Sequence, residues 1–164
     1  MTVMHKQLHL QSESGVTFHD VTRQVQGEIA HAGIESGIAV VTSPHTTCSV
    51  IIQEESHDET YRGVEYLMQD LLDILATLIP TCTAEGLYRH PGPKHIADAE
   101  SRGEHPAWSL NVDAHLRSVL LGRSVTVPIA QAAPVLGEFG RIYFADFDQV
   151  RARARTVGLT IIGE

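Results

Sequence analysis

Ten histidines stand in a chain of 164 residues, several times the usual share for a domain of this size. Histidine is the commonest metal ligand and the side chain that titrates near neutrality. Fully protonated, the ten would move the net charge from −8 to +2, so charge should depend steeply on pH between about 5 and 7.5. His45 follows Ser43-Pro44 at a corner between two apolar runs, and loop positions carry sites disproportionately. His90, His95, His105 and His115 span an aperiodic stretch and the short helix after it, with a spacing that matches no zinc-ribbon pattern. Taken alone, His115 also suits packing, since it flanks Val112, Leu116 and Val119.

Other reactive residue types are fewer. Glu54 closes a predicted strand, where a carboxylate can face a cleft as a base or a metal ligand. Asp58 and Glu59 have a plainer use in offsetting the dipole of the helix predicted next. Cys48 sits in a predicted strand between Thr47 and Ser49 and reads as a buried structural thiol rather than a nucleophile. Arg151, Arg153 and Arg155 alternate, so strand geometry puts them on one face. Three guanidiniums in line could hold a phosphate, or form a solvated edge or a subunit contact. The sequence contains no GxGxxG, Walker or HExxH motif, so those nucleotide folds and that zinc helix are excluded.

The elements that must position these residues follow from periodicity and punctuation. Val3–Leu10 reads as a strand broken at Ser14-Gly15, and Asp20 as the cap of a helix carrying Val21, Val25 and Ile29. Ile38–Thr42 and Thr47–Gln53 read as strands. Ser56 and Glu59 have capping-box spacing, and apolar residues from Tyr61 to Ile79 recur at three and four. That pattern predicts a long helix of about six turns, ended by Pro80. Residues 81–110 show no period and read as a long loop. Asn111 then caps a short helix, Val112–Leu121, stopped by Gly122. Ser124–Ile129, Arg141–Asp148 and Arg153–Ile162 close the chain as strands, with Pro128 marking an edge strand or its end. Strands in runs with short connections predict one antiparallel α+β domain over residues 1–164, with a sheet covered on one side by the long helix.

Composition bounds the partners. Hydrophobic residues at 43% and charged residues at 20% describe a globular chain. Twenty acidic residues against twelve basic ones argue against a nucleic-acid partner. Apolar stretches are too short to span a bilayer, and Met1–Leu10 lacks the apolar core of a signal peptide. Two cysteines, Cys48 and Cys82, make no disulfide framework, so a cytoplasmic protein is the expectation.

The same residues line up as successive motifs: His45-Thr46-Thr47-Cys48-Ser49, Gln53-Glu54-Glu55, Tyr88-Arg89-His90, Asp113-Ala114-His115 through Gly122, Ser124 to Ile129, and Arg155-Thr156-Val157 to Gly163-Glu164. Together they resemble the YjbQ-like family, also called secondary thiamine-phosphate synthase enzymes, from about residue 38 to the end. Gly137-Glu138-Phe139-Gly140 departs from the family's Gly-x-Trp-Gln. Pro91 to Leu110 stands as an insertion where the family has a short acidic link, so either His90 or His105 could fill its loop-histidine position.

The resemblance implies packed antiparallel sheets with one long and two shorter helices, a homotrimer, and a pocket near the His-Thr turn that holds a metal and an anion. On that basis His45, His90 and His115 are expected as ligands of a divalent metal such as Zn²⁺, with a fourth position open. Glu54 is expected as general base or partner of a ligand, Asn111 to orient substrate, and Thr46 and Arg155 to bind phosphate. The function expected is a metal-assisted enzyme acting on a small phosphorylated or anionic molecule, with thiamine-phosphate synthase activity as a secondary reaction. The alternative is a non-catalytic oligomer that binds a metal or an anion.

Overall fold

The computed structural model describes residues 1–164. In chain order its elements are β1 (Thr2–Ser12), β2 (Thr17–Asp20), α1 (Thr22–Ala32), β3 (Ser36–Thr42), β4 (Cys48–Glu54), α2 (Tyr66–Leu78), α3 (Pro93–Ser101), a 3-10 turn (Pro106–Ser109), α4 (Val112–Leu121), β5 (Ser124–Ala130), β6 (Ala133–Pro134), β7 (Gly140–Asp146) and β8 (Arg153–Gly163). The strands form two antiparallel sheets, one in the order β1-β8-β3-β5-β6 and one in the order β2-β7-β4. This is the α+β architecture of packed antiparallel sheets, with four helices where three were expected.

Strand β7 explains the layering. Its side chains alternate between two faces, and both are buried. Ile142 and Phe144 point into a core shared with Val25 and Ile29 of α1 and with Val41, Leu159 and Ile161 of the larger sheet. Ala145, with Phe147 just beyond the strand, packs on the other side against Leu75 of α2 and Ala114 of α4. The smaller sheet is therefore a middle layer, with the larger sheet on one side and α2 and α4 on the other. Each Ile or Phe so buried contributes about 1.5–3 kcal/mol over an exposed one. No helix is long and apolar enough to cross a membrane.

Five local expectations change. The helix predicted from Ser56 begins only at Tyr66. Gly63 takes a left-handed conformation (φ +74°) inside a Thr60–Gly63 turn, which a helix cannot continue through. Ser56 and Glu59 form no capping box; Glu65 Oε2 accepts the Ser56 N–H at 2.7 Å, and both Glu65 oxygens accept from the Tyr143 hydroxyl at 2.9 and 3.1 Å. Asp20 acts one residue outside the cap position, accepting the Thr22 N–H at 2.8 Å. The stretch read as a loop contains α3, opened by Pro93 at its first turn. Pro128 marks neither an edge strand nor its end, since β5 runs on to Ala130 and carries β6 outside it; its carbonyl accepts from Val135 N–H at 2.8 Å, so its missing N–H lies on the side away from β3.

The two sheets are tied at one end by a buried ion pair. Arg155 of β8 donates from Nε to Asp146 Oδ2 at 2.6 Å and from Nη2 to Asp146 Oδ1 at 2.9 Å, Asp146 being the last residue of β7. The same Nη2 lies 3.2 Å from Thr47 Oγ1 and 3.7 Å from Asp148 Oδ2. Burial raises the Asp146 pKa, but hydrogen bonds from Arg155 and from the Asp148 N–H outweigh it, and the carboxyl ends below the usual range. The sign follows: the stability this carboxylate adds is present above its unfolded pKa, about 3.9, and is lost as pH falls through the lower folded value. Arg155→Ala leaves a buried carboxylate without its partner and should cost about 3–5 kcal/mol in urea unfolding. A loss under about 1 kcal/mol would mean that water replaces the guanidinium.

Candidate functional site

The site is built where the corner before β4 meets the first turns of α4. At the corner, Ser43 Oγ accepts the His45 N–H at 3.2 Å, and the Thr47 carbonyl accepts the Phe147 N–H at 3.0 Å. Helix α4 is pinned on the side facing β4: Ser118 Oγ donates to the Cys48 carbonyl at 2.7 Å, and Ser49 Oγ donates to the Ser118 carbonyl at 3.3 Å. Its other ties are buried and charged. Arg117 Nη2 donates to the Ile79 carbonyl at 2.8 Å and lies 3.6 Å from Asp113. Asp113 in turn accepts from Cys82 N–H at 3.2 Å and from Gln149 Nε2 at 3.1 Å.

So anchored, α4 presents His115 to the corner, where its Nδ1 lies 3.1 Å from the Thr46 carbonyl. A carbonyl can only accept, so Nδ1 carries the proton and Nε2 is left as a free lone pair. The His90 ring stands 5.9 Å from the His115 ring, centroid to centroid, and 4.6 Å from the ring of His95 on α3. Three imidazoles thus converge from the loop, α3 and α4. Burial, then the neighbouring His95 and His115, holds the His90 pKa below the ordinary histidine value. Asn111 caps α4 in position only, with no side-chain cap bond, which leaves its amide free one turn before His115 on the same helix face.

The other predicted residues are placed differently. His45 Nε2 accepts the Thr156 N–H at 2.9 Å, so the ring ties the corner to β8 with its proton on Nδ1. Burial and then Arg155 lower its pKa, against Asp146, which raises it. Arg155 spends its Nε–Nη2 edge on Asp146, the edge that would otherwise take a phosphate in bidentate fashion. Thr46 is exposed and gives its backbone carbonyl, rather than its side chain, to His115. Glu54 closes the opposite end of β4, six residue steps or about 20 Å from the corner, so within one chain its carboxylate does not reach the imidazoles. Cys48 is a buried thiol whose pKa is pushed up to about 12 by burial and then by Asp146, which excludes a thiolate nucleophile.

The sequence matches the family model for UPF0047 protein YjbQ-like over residues 6–164. The chain belongs to that family. A UPF0047 protein of Methanothermobacter thermautotrophicus is 31% identical over 153 residues, covering 93% of this chain and 89% of the relative. One from Archaeoglobus fulgidus is 30% identical over 147 residues, covering 90% and 94%. Among solved structures, an uncharacterized conserved protein of the YjbQ/UPF0047 family from Clostridium acetobutylicum superposes with a TM-score of 0.73 at 27% identity, covering 96% of this chain and 99% of that one. A hypothetical protein from Aeropyrum pernix gives 0.75 at 26% identity, covering 98% and 99%.

In this YjbQ-like chain the metal-ligand set expected from sequence does not fit as a three-imidazole site. His45 spends the nitrogen it would need on Thr156, and no three His, Cys, Asp or Glu side chains are arranged to hold a metal ion. His90, not His105, is the loop histidine that meets His115; His105 Nδ1 accepts the Ala107 N–H at 3.2 Å within its own turn. His95 is the residue sequence reasoning missed. Its signal was Pro93 after Gly92, followed by nine residues free of Pro and Gly, a helix start that lacked only an apolar period. The two roles of histidine should separate on mutation. His45→Ala should lower stability by about 1–3 kcal/mol, the cost of orphaning the Thr156 N–H. His115→Ala should leave chemical unfolding within about 1 kcal/mol of wild type. Equal losses in the two variants would show that both rings are only packing.

Proposed function

We propose that the chain binds a small phosphorylated or otherwise anionic molecule at the His90–His95–His115 cluster, and that it is an enzyme in which these imidazoles manage the anion and its proton. The observation that supports this reading is the convergence of three imidazoles, in which burial and then the neighbouring His95 and His115 hold down the basicity of His90. An anion bound among them reverses that effect, since each positive ring is then answered by negative charge. His115 suits proton transfer, with Nδ1 fixed by Thr46 and Nε2 open. Asn111 would orient the ligand from the same helix face. Thiamine-phosphate synthesis, implied by the family resemblance, is the reaction to assay first.

A second reading is a non-catalytic binder of a metal ion through the open Nε2 of His115, the three rings not being arranged as a complete ligand set. What favours it is the His115 Nδ1–H bond to a backbone carbonyl, the arrangement that orients ligating histidines. The two readings have opposite pH signs. Anion binding takes up protons, so affinity rises as pH falls from 7.5 to about 6; metal binding releases them, so affinity falls over that range. Calorimetry with inorganic pyrophosphate should show tighter binding at pH 6, and His115→Ala should weaken it about tenfold, near 1.4 kcal/mol. Tighter binding of Zn²⁺ at pH 7.5, with no pyrophosphate binding at either pH, would overturn the anion reading in favour of the metal.

We also infer self-association, as a trimer, in the cytoplasm. Supporting it are apolar residues exposed on the outer layer: Ile74 and Leu78 on α2, and Leu116, Val119 and Leu120 on α4. Both cysteines are free and buried, which suits a reducing compartment. Sedimentation equilibrium at micromolar protein should give three times 17.9 kDa; a single species of 17.9 kDa would refute the assembly.

A further inference from the structure

The three alternating arginines before and within β8 are not equivalent. Arg155 is answered by Asp146 at 2.6 Å, and Arg153 Nε lies 3.3 Å from Asp148 Oδ2. Arg151 has a different partner: its guanidinium carbon lies 3.7 Å from the ring centroid of Trp108, in the turn that closes the Pro91–Leu110 segment. Stacking fixes the guanidinium plane and leaves its N–H edge unused. The Nε of Arg151 is shielded from solvent and has no hydrogen-bond acceptor, while that of Arg153 has only its ion-pair contact with Asp148. A shielded, charged donor without an acceptor is costly. Beside these groups lies an open surface depression of about 350 Å³, lined by His45 and by residues 151–155. Three guanidiniums here face two carboxylates, Asp146 and Asp148, which leaves one positive charge over. With His45 Nε2 occupied by Thr156, its Nδ1–H is a further donor on the same depression.

We propose that Arg151, held flat by Trp108, forms with Arg153 and His45 a binding site for a phosphate group, free or carried by a small molecule. The guanidinium edge of Arg151 matches a phosphate in bidentate fashion, and Arg153 adds a second donor from one alternation further along. The site uses none of His90, His95 or His115, so it stands or falls apart from the function proposed above.

Trp108 is the single tryptophan of the chain, so its emission reports on the stacked guanidinium directly. The full-length protein is titrated with inorganic phosphate, then with glycerol phosphate, against chloride at matched ionic strength. A saturable emission change with phosphate and none with chloride is expected. If only glycerol phosphate saturates, the site takes a phosphorylated molecule; if both saturate, it takes the phosphate group alone. Arg151→Ala should weaken binding, read by calorimetry, at least tenfold; Arg151→Lys, which keeps the charge without the planar fork, should weaken it at least threefold. Trp108→Phe should bind within threefold of wild type by calorimetry. His90→Ala should leave the emission titration unchanged, whatever it does to pyrophosphate binding. No saturation with either phosphate, an equal response to chloride, or wild-type affinity in both Arg151 variants would overturn the proposal.

Discussion

A guanidinium inside a protein has to be answered by charge, and Arg155 is answered from the opposite sheet. Asp146, the last residue of β7, takes two of its N–H groups, and Thr47, just before β4, stands beside the third contact. One ion pair therefore sets the relative position of β8, β7 and the corner entering β4. Desolvating both partners offsets much of their attraction, so the pair contributes more to placement than to net stability. Its neighbours inherit its field. Burial and then Asp146, 3.4 Å away, push the Cys48 thiol up to about 12, and burial and then Arg155 hold the His45 pKa below the ordinary histidine value.

The corner held in this way works in two directions. The His45 side chain reaches back to the Thr156 N–H in β8, while the Thr46 carbonyl reaches forward to His115 in α4. Adjacent residues thus divide into a tie within the sheet framework and a support for the imidazole cluster. The tie occupies His45 Nε2 and leaves its Nδ1–H; the support leaves His115 Nε2 open. Helix α4 can hold a reactive ring steady because its own charges are internal: Asp113 and Arg117 are both buried and spend themselves on α4, on the end of α2 and on the chain at Cys82 and Gln149. Anchoring of this kind fixes the position of the His115 ring against the corner.

The segment from Pro91 to Leu110 adds to this frame at two points. Helix α3 brings His95 to His90, and the following turn lays Trp108 against Arg151. Both contacts involve a cationic or titratable group already in place, so the segment changes the electrostatics at the rim of the site. Its remaining polar ties are local, with Arg102 paired to Asp98 and Glu104 on its own surface. That pattern is expected of a segment laid over a framework rather than woven into it.

How much of this was legible in the sequence differs by element. Strands rich in β-branched residues, the stop at Pro80 and the short helix after Asn111 were readable because each rests on local backbone chemistry. The start of α2 was misread because Tyr61 and Val64 keep helical phase while Gly63 turns left-handed; period alone does not register φ. Helix α3 was missed for the opposite reason, since it has a start signal but no strong apolar stripe. By itself, the sequence determined that histidines and an alternating arginine run were the groups with chemistry to offer. Only the tertiary structure decided which of them had any left. Arg155 and the Nε2 of His45 are consumed by Asp146 and by the Thr156 N–H, partners 9 and 111 residues away, whereas the Nδ1–H of His45 and the side chains of His90, His95, His115 and Arg151 keep open valence. A side chain's free valence depends on what is folded against it, and partners at such separations meet only when the sheets close.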